Sequence, residues 1–258
     1  MKKKDMKNMK KTMMLGVVVL AMSAGRSSSA QQSSAQQMPD CPDLVRALQD
    51  MVRADARMRD FANLRRYRDQ NAGVKPGQSR VVFMGDSITD NWAQPRFGGF
   101  FPGKPYADRG ISGQTTPQML LRFRQDVVAL GPEIVVILAG TNDVAGNTGP
   151  MTDEEIEGNL MSMSELAAAH QVRIVLSSIL PVSDYHRRPP APPMTTARPP
   201  TRIVALNNWM RSYAADHHLV YLDYYSAMLD DHGMLREDLS EDDKRKIIGE
   251  NAARAYKL

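Results

Sequence analysis

Cysteine is nearly absent from this chain: among 258 residues only Cys41 carries a thiol. A single thiol excludes an internal disulfide framework and any multi-cysteine metal site. Cys41 also stands well past the N-terminal apolar run and follows Met38-Pro39-Asp40, the wrong neighbours for a lipoprotein cleavage box, so it reads as a free thiol. Long hydrophobic runs are missing too. The uncharged stretch Met13–Met22 covers ten residues, against the roughly 20 that a membrane span requires. Internal repeats and a second-domain signature are likewise lacking.

The N-terminus explains that short run. Six lysines lie between Lys2 and Lys11, the apolar stretch follows, and Ser27-Ser28-Ser29-Ala30 closes it. This is the n-region, h-region and small-residue cleavage site of a secretory signal peptide. The alternative, a short buried helix, would leave the lysine cluster without partners in a core. Residues 1–30 are therefore expected to be removed, with cleavage after Ala30 or after Ala35, and residues 31–41 to form a flexible leader of Ser, Gln and Ala. Export to the periplasm or the medium follows.

Excess positive charge is lacking once that segment is set aside. Residues 1–30 hold seven Lys/Arg and one Asp, so a whole-chain charge of +4 leaves about −2 on the remainder. The basic balance belongs to the export signal, and a nucleic-acid footprint on the folded part is excluded. About 220 residues remain, enough for one domain with a sizeable core (residues 42–258).

Along that domain, Leu44, Leu48, Met51, Ala54 and Met58 recur at helical spacing. Short apolar runs then alternate with amphipathic segments. Val81–Met84, Tyr106–Asp108, Ile134–Leu138, Val172–Leu176 and Val220–Leu222 read as strands, the third being the strongest because it is β-branched and unbroken. Thr116 caps one helix with Pro117 at its first position, and Thr152 with Glu155 forms a capping box for another. A helix carrying Ile203, Leu206, Met210 and Tyr213 precedes the last strand, and a final helix is expected after Ser240. Residues 187–202, with six prolines and four arginines, read as an irregular loop. Buried strands alternating with helices predict an α/β fold, a parallel sheet of about five strands between helical layers, with function at the strands' carboxyl ends.

Three turns fall at those ends. Gly85-Asp86-Ser87 exposes a serine directly after a strand, although such a tripeptide is also ordinary turn chemistry. Gly110-Ile111-Ser112-Gly113-Gln114-Thr115-Thr116 leads into a helix, where free backbone N–H groups meet negative oxygens; as a bare connection it would do nothing more. Gly140-Thr141-Asn142-Asp143 offers a side-chain amide, or simply an Asx-type turn. Taken together they meet the need of acyl transfer, a nucleophile plus fixed donors for the developing oxyanion. Ser87 N–H, Gly113 N–H and the Asn142 amide are the candidate donors. The aromatic residues Trp92, Phe97, Phe100 and Phe101 read either as core or as a pocket lining.

These stretches, with Val81–Met84 and Ile88-Thr89 around the first and Ala139 before the third, occur in the order and spacing of the SGNH (GDSL-type) hydrolases, and the chain resembles that family from about Val81 to Ser240. The resemblance implies a flavodoxin-like three-layer α/β/α sandwich and cleavage of carboxylic esters, as in esterases, lipases and carbohydrate deacetylases. It implies Ser87 as nucleophile, Gly113 and Asn142 as oxyanion donors, and no cofactor or metal. The partner is then a small-molecule or glycan ester, with no nucleic acid and no membrane span after signal cleavage.

The family's last block, D-x-x-H, departs from its pattern here. In the obvious register Asp242 takes the acid's place and Arg245 stands where histidine belongs. Arginine stays protonated and cannot accept a proton from serine. None of the five histidines follows an aspartate by three positions; His232 could be carried to the site by its segment, and His186 opens the proline-rich loop. Two explanations of the tail stay open: a changed reading frame past residue 240, or an impaired relative that binds an ester or glycan without turning it over.

Overall fold

The computed structural model describes residues 41–94, 100–187 and 189–239. The signal segment, most of the leader, Phe97, Asp242, Arg245 and the helix expected after Ser240 lie outside them. The chain divides into a unit of residues 1–48 and a unit of residues 49–258. In the first, the described residues are the opening turns of helix α1 (Cys41–Arg59).

The second unit continues α1 and adds α2 (Arg68–Ala72), β1 (Val81–Gly85), α3 (Ser87–Trp92), β2 (Tyr106–Gly110) and α4 (Thr116–Asp126). There follow β3 (Ile134–Leu138), α5 (Thr141–Val144), α6 (Asp153–Ala169) and β4 (Arg173–Ser177). The described part closes with α7 (Met194–Ala197), α8 (Pro200–Asp216), β5 (Val220–Leu222) and α9 (Tyr224–Met228). All five strands pair in parallel, in the order β2-β1-β3-β4-β5.

Alternate strand side chains face opposite ways, and here they build two cores. Val82, Met84, Val135, Ile137 and Leu176 meet Phe123 of α4, Leu160 of α6 and Leu206 of α8. Val81, Phe83, Val136 and Val175 meet Trp92 of α3 and Tyr224 and Met228 of α9. Helices thus cover both faces, which is why β1 and β3 can be buried at every residue. Trp92, Phe100 and Phe101 pack round Phe83 at centroid distances of 5.6, 5.2 and 5.2 Å, so they belong to the second core.

The strand order places the site. From β1 the chain moves outward to β2, then crosses back to β3 on the other side of β1. Connections on either side of that reversal part at the strands' carboxyl ends and leave a crevice there. Helix α3 seats tightly at the same place. Gly85 and Gly110 are register partners on β1 and β2, and a Cβ on either would overlap Thr89 or Asp90 of α3.

Several local expectations change. The cap of α4 is Thr115, one residue earlier than expected, because Gln118 reaches back to its N–H at 3.0 Å. Residues 187–202 are not wholly irregular: α7 lies within them, and Pro200 occupies the first turn of α8, where its missing N–H costs nothing. Of the helical stripe before the sheet, Leu44, Leu48, Met51 and Met58 are all more than half exposed. The Thr152–Glu155 box forms as its sequence implies, with bonds of 2.8 and 3.2 Å.

Candidate active site

Ser87 is the first residue of α3 and half-buried at the end of β1. Asp86 before it is the helix cap, its carboxylate accepting from Ile88 N at 2.9 Å. The aspartate therefore has a structural task that also fixes where the serine stands. Among the described residues no side chain hydrogen-bonds to the Ser87 hydroxyl.

The second turn is tied to the first. Asp90, three residues along α3 from Ser87, accepts from both N and Oγ of Ser112, at 3.0 and 2.6 Å. Gly113 follows in the left-handed region with φ of +80°, a conformation that favours glycine, and its carbonyl accepts from Asn147 Nδ2 at 3.0 Å. Beneath, the buried Arg122 of α4 binds Gly85 O at 3.1 Å, Gln114 Oε1 at 2.5 Å and Asp126 at 3.1 Å. One guanidinium thus joins the end of β1 to the second turn.

Asn142 completes the cluster. It lies in α5 just past β3, and its amide nitrogen donates to Gln114 O at 3.0 Å and to Asp86 Oδ2 at 3.3 Å. Its carbonyl oxygen faces Arg198 Nη2 at 3.4 Å, while Arg198 Nε donates to Thr141 O and Oγ1, each at 3.1 Å. The amide therefore stands between the residue before Ser87 and the residue after Gly113. Asp143 turns away and accepts from Thr116 N and Oγ1 at 2.8 and 2.6 Å.

Burial dominates the electrostatics. It pushes the Asp86 carboxyl up to about 7; the Ile88 bond opposes this, Asp143 adds to it, and Arg198 pulls back. Burial also raises Asp143, against its bonds to Thr116, and lowers Arg198, against the attraction of Asp86. Asp86 stood inside the serine turn but without a role assigned to it, and Arg198 and Arg122 were not singled out from the sequence. Arg198 sits among prolines without local pattern, whereas Arg122 could have been noticed as a charge four residues before Asp126 on a helix bearing an apolar face.

The five histidines are all described, and none contacts Ser87 or Asn142. His170 lies against Arg124, and His217 packs on Tyr213 at the end of α8. His218 donates its N–H to Ala215 O beyond that helix end. His186 Nε2 is 3.3 Å from Glu237 O, and His232 N donates to Asp230. Among the described residues no group of three or more His, Cys, Asp or Glu could hold a metal ion. Nor is any described helix long and apolar enough to cross a membrane.

A parallel sheet between two helical layers, with its polar turns gathered where the strand order reverses, is the architecture of the α/β/α hydrolases. The chain belongs to the GDSL-like lipase/acylhydrolase family, whose sequence profile matches residues 83–248. A solved GDSL-like lipase from Bacteroides thetaiotaomicron is 36% identical, with a TM-score of 0.67 and coverage of 76% of this chain and 98% of that one. A Bacteroides fragilis structure assigned as an acylhydrolase is 35% identical at the same TM-score, covering 76% and 97% of the two chains. A lipoprotein of Bacillus subtilis (strain 168), YqeF, is 33% identical over 76 residues, which are 28% of this chain and 31% of that protein. The match thus spans less than a third of that relative's length.

Proposed function

We propose that the protein is an exported carboxylic-ester hydrolase that works through an acyl-enzyme on Ser87. The observation that carries this reading is the Asn142 amide, held between Asp86 and Gln114 so that it adjoins both the serine turn and the glycine turn. Ser87 N–H, Gly113 N–H and Asn142 Nδ2 are then the donors for the tetrahedral oxyanion. Fixed donors of this kind need no reorganisation as charge develops. The esterase and lipase chemistry of the family supports the reaction class, and the lysine-led apolar N-terminus supports export.

In the family the base that takes the serine proton comes from the C-terminal segment. Here Asp242 takes the acid's position and Arg245, which cannot accept a proton, stands in the base's, so Ser87 has no assigned base. A serine hydroxyl without a base is a weak nucleophile, and donors plus binding alone contribute on the order of 10³–10⁴ over water in the serine-protease template. Purified protein treated with a fluorophosphonate probe should label on Ser87, and Ser87→Ala should not. Folded protein with no Ser87-dependent labelling would overturn catalysis.

A second reading is favoured by the histidines, each of which is engaged away from Ser87. In that reading the chain binds an ester or glycan without turnover. It predicts p-nitrophenyl acetate hydrolysis equal in wild type and Ser87→Ala.

A further inference from the structure

Between α1 and α2 the chain makes a turn, residues 60–65, that lies before the family match and holds apolar side chains out in solvent. Phe61 is 43% exposed and Met58, at the end of α1, 77% exposed. Exposed apolar groups are common on loops, but this loop is pinned with unusual thoroughness. Three glutamine amides donate to its carbonyls: Gln118 to Phe61 O at 2.6 Å, Gln114 to Ala62 O at 2.7 Å and Gln125 to Leu64 O at 2.8 Å. Asp60 closes the turn from within, accepting from Leu64 N at 2.7 Å and Arg65 N at 3.2 Å.

Two of those glutamines belong to α4 and the third to the turn that carries Gly113, so the loop is registered against the candidate oxyanion turn itself. Between the two lies a cavity of about 820 Å³, bounded by Met58, Phe61, Ile111, Gly113, Gln118 and Asn147. A Cβ placed on Gly113 would enter nearly open space there, its nearest neighbour being Asn147 Nδ2 at 3.9 Å. The cavity is thus continuous with the residue proposed to receive the oxyanion.

We infer that this cavity holds the acyl group of the substrate, with Phe61 and Met58 as its apolar wall, and that the preferred esters carry an apolar acyl chain longer than acetyl. The inference takes Ser87 as the acyl acceptor proposed above. Its physical basis is preorganisation. The loop that carries Phe61 is already ordered by polar bonds, so covering Phe61 with methylenes removes apolar surface from water without the cost of fixing that loop.

The test compares p-nitrophenyl octanoate with p-nitrophenyl acetate, and octanoate binding by calorimetry in the Ser87→Ala background. Phe61→Ala should lower the octanoyl-to-acetyl ratio of kcat/KM about tenfold, the scale of losing a few methylene contacts. Phe61→Leu should restore most of it, and Gln118→Ala, which frees the Phe61 carbonyl, should move the ratio in the same direction as Phe61→Ala. An unchanged ratio, or equal losses on both esters, would overturn the pocket while leaving Ser87 chemistry in place. If neither ester is turned over, catalysis fails and the binding arm decides the pocket. Octanoate affinity weakened about tenfold by Phe61→Ala and kept by Phe61→Leu supports it; no octanoate binding, or binding indifferent to residue 61, refutes it.

Discussion

An asparagine amide has two ends of nearly equal shape, so its neighbours decide which one faces a reacting atom. At Asn142 the cation Arg198 faces the oxygen, and two acceptors, Gln114 O and Asp86, face the nitrogen. That arrangement turns the nitrogen toward the serine turn, where in the proposed reaction the oxyanion would take one of its two hydrogens from Gln114 O or Asp86. Asn142→Ala should therefore slow Ser87 acylation by on the order of 10²–10³. Fluorophosphonate labelling rates measure this directly, and an unchanged rate would remove Asn142 from the oxyanion site. A second buried carboxylate, besides Asp86, contributes to the pH response. Asp108 on β2 accepts from Gly110 N at 2.6 Å through one oxygen, while its other oxygen is buried without a partner among the described residues. Burial lifts its pKa from the ordinary 3.8 to about 7, with Asp90 adding to the rise. A raised folded-state value means that the unfolded chain loses its proton first. Stability from Asp108 is then full below about pH 4 and disappears as the pH climbs to about 7. Asp108→Asn keeps the accepting oxygen and removes the titration. Urea midpoints at pH 5 and pH 7.5 should converge in this variant relative to wild type; an unaltered difference would contradict the assignment.

Among the elements, α4 bears the heaviest load. Its Arg122 and Asp126 side chains are 0% and 1% exposed, a buried pair on the face that also carries Met119 and Phe123. Removing one partner of such a pair typically costs about 3–5 kcal/mol, because the other is left charged and unsolvated. Arg122→Met should lose stability on that scale in urea unfolding, as Asp126, Gln114 and Gly85 O all lose a donor. A change below about 1 kcal/mol would show that the burial is relieved by local opening. The elements also show where sequence is informative. Ile134–Leu138 was legible as a strand because five consecutive apolar residues can only be buried on both faces. The serine, glycine and asparagine turns were legible because each follows a strand at once. Arg198 was not, since its bonds to Thr141 and Asn142 span 57 and 56 residues and leave no periodic trace. The three glutamines that pin residues 60–65 were silent for the same reason, and α4 opened one residue early because Gln118 chose Thr115.

For the whole molecule, the dominant asymmetry is between its first thirty residues and the rest. A charge of +6 sits on residues 1–30 and about −2 on the remainder. Intact-mass analysis of protein recovered from the periplasm or medium should give an N-terminus at residue 31 or 36, and recovery of the uncut chain would refute the signal segment. The cleaved protein should focus well below the whole-chain pI of about 9.2. Beyond the charge, the seat of α3 on the Gly85–Gly110 pair sets how freely this fold can drift in sequence. A methyl group on Gly110 would meet the backbone of the helix that Ser87 opens, and one on Gly85 would meet the Thr89 side chain of that helix, whereas Gly158, on α6, has open space around it. In a library of every single substitution, the first two columns should return glycine alone and the third a broad alphabet. The helix that Ser87 opens would then rest on two of the least negotiable letters in the chain.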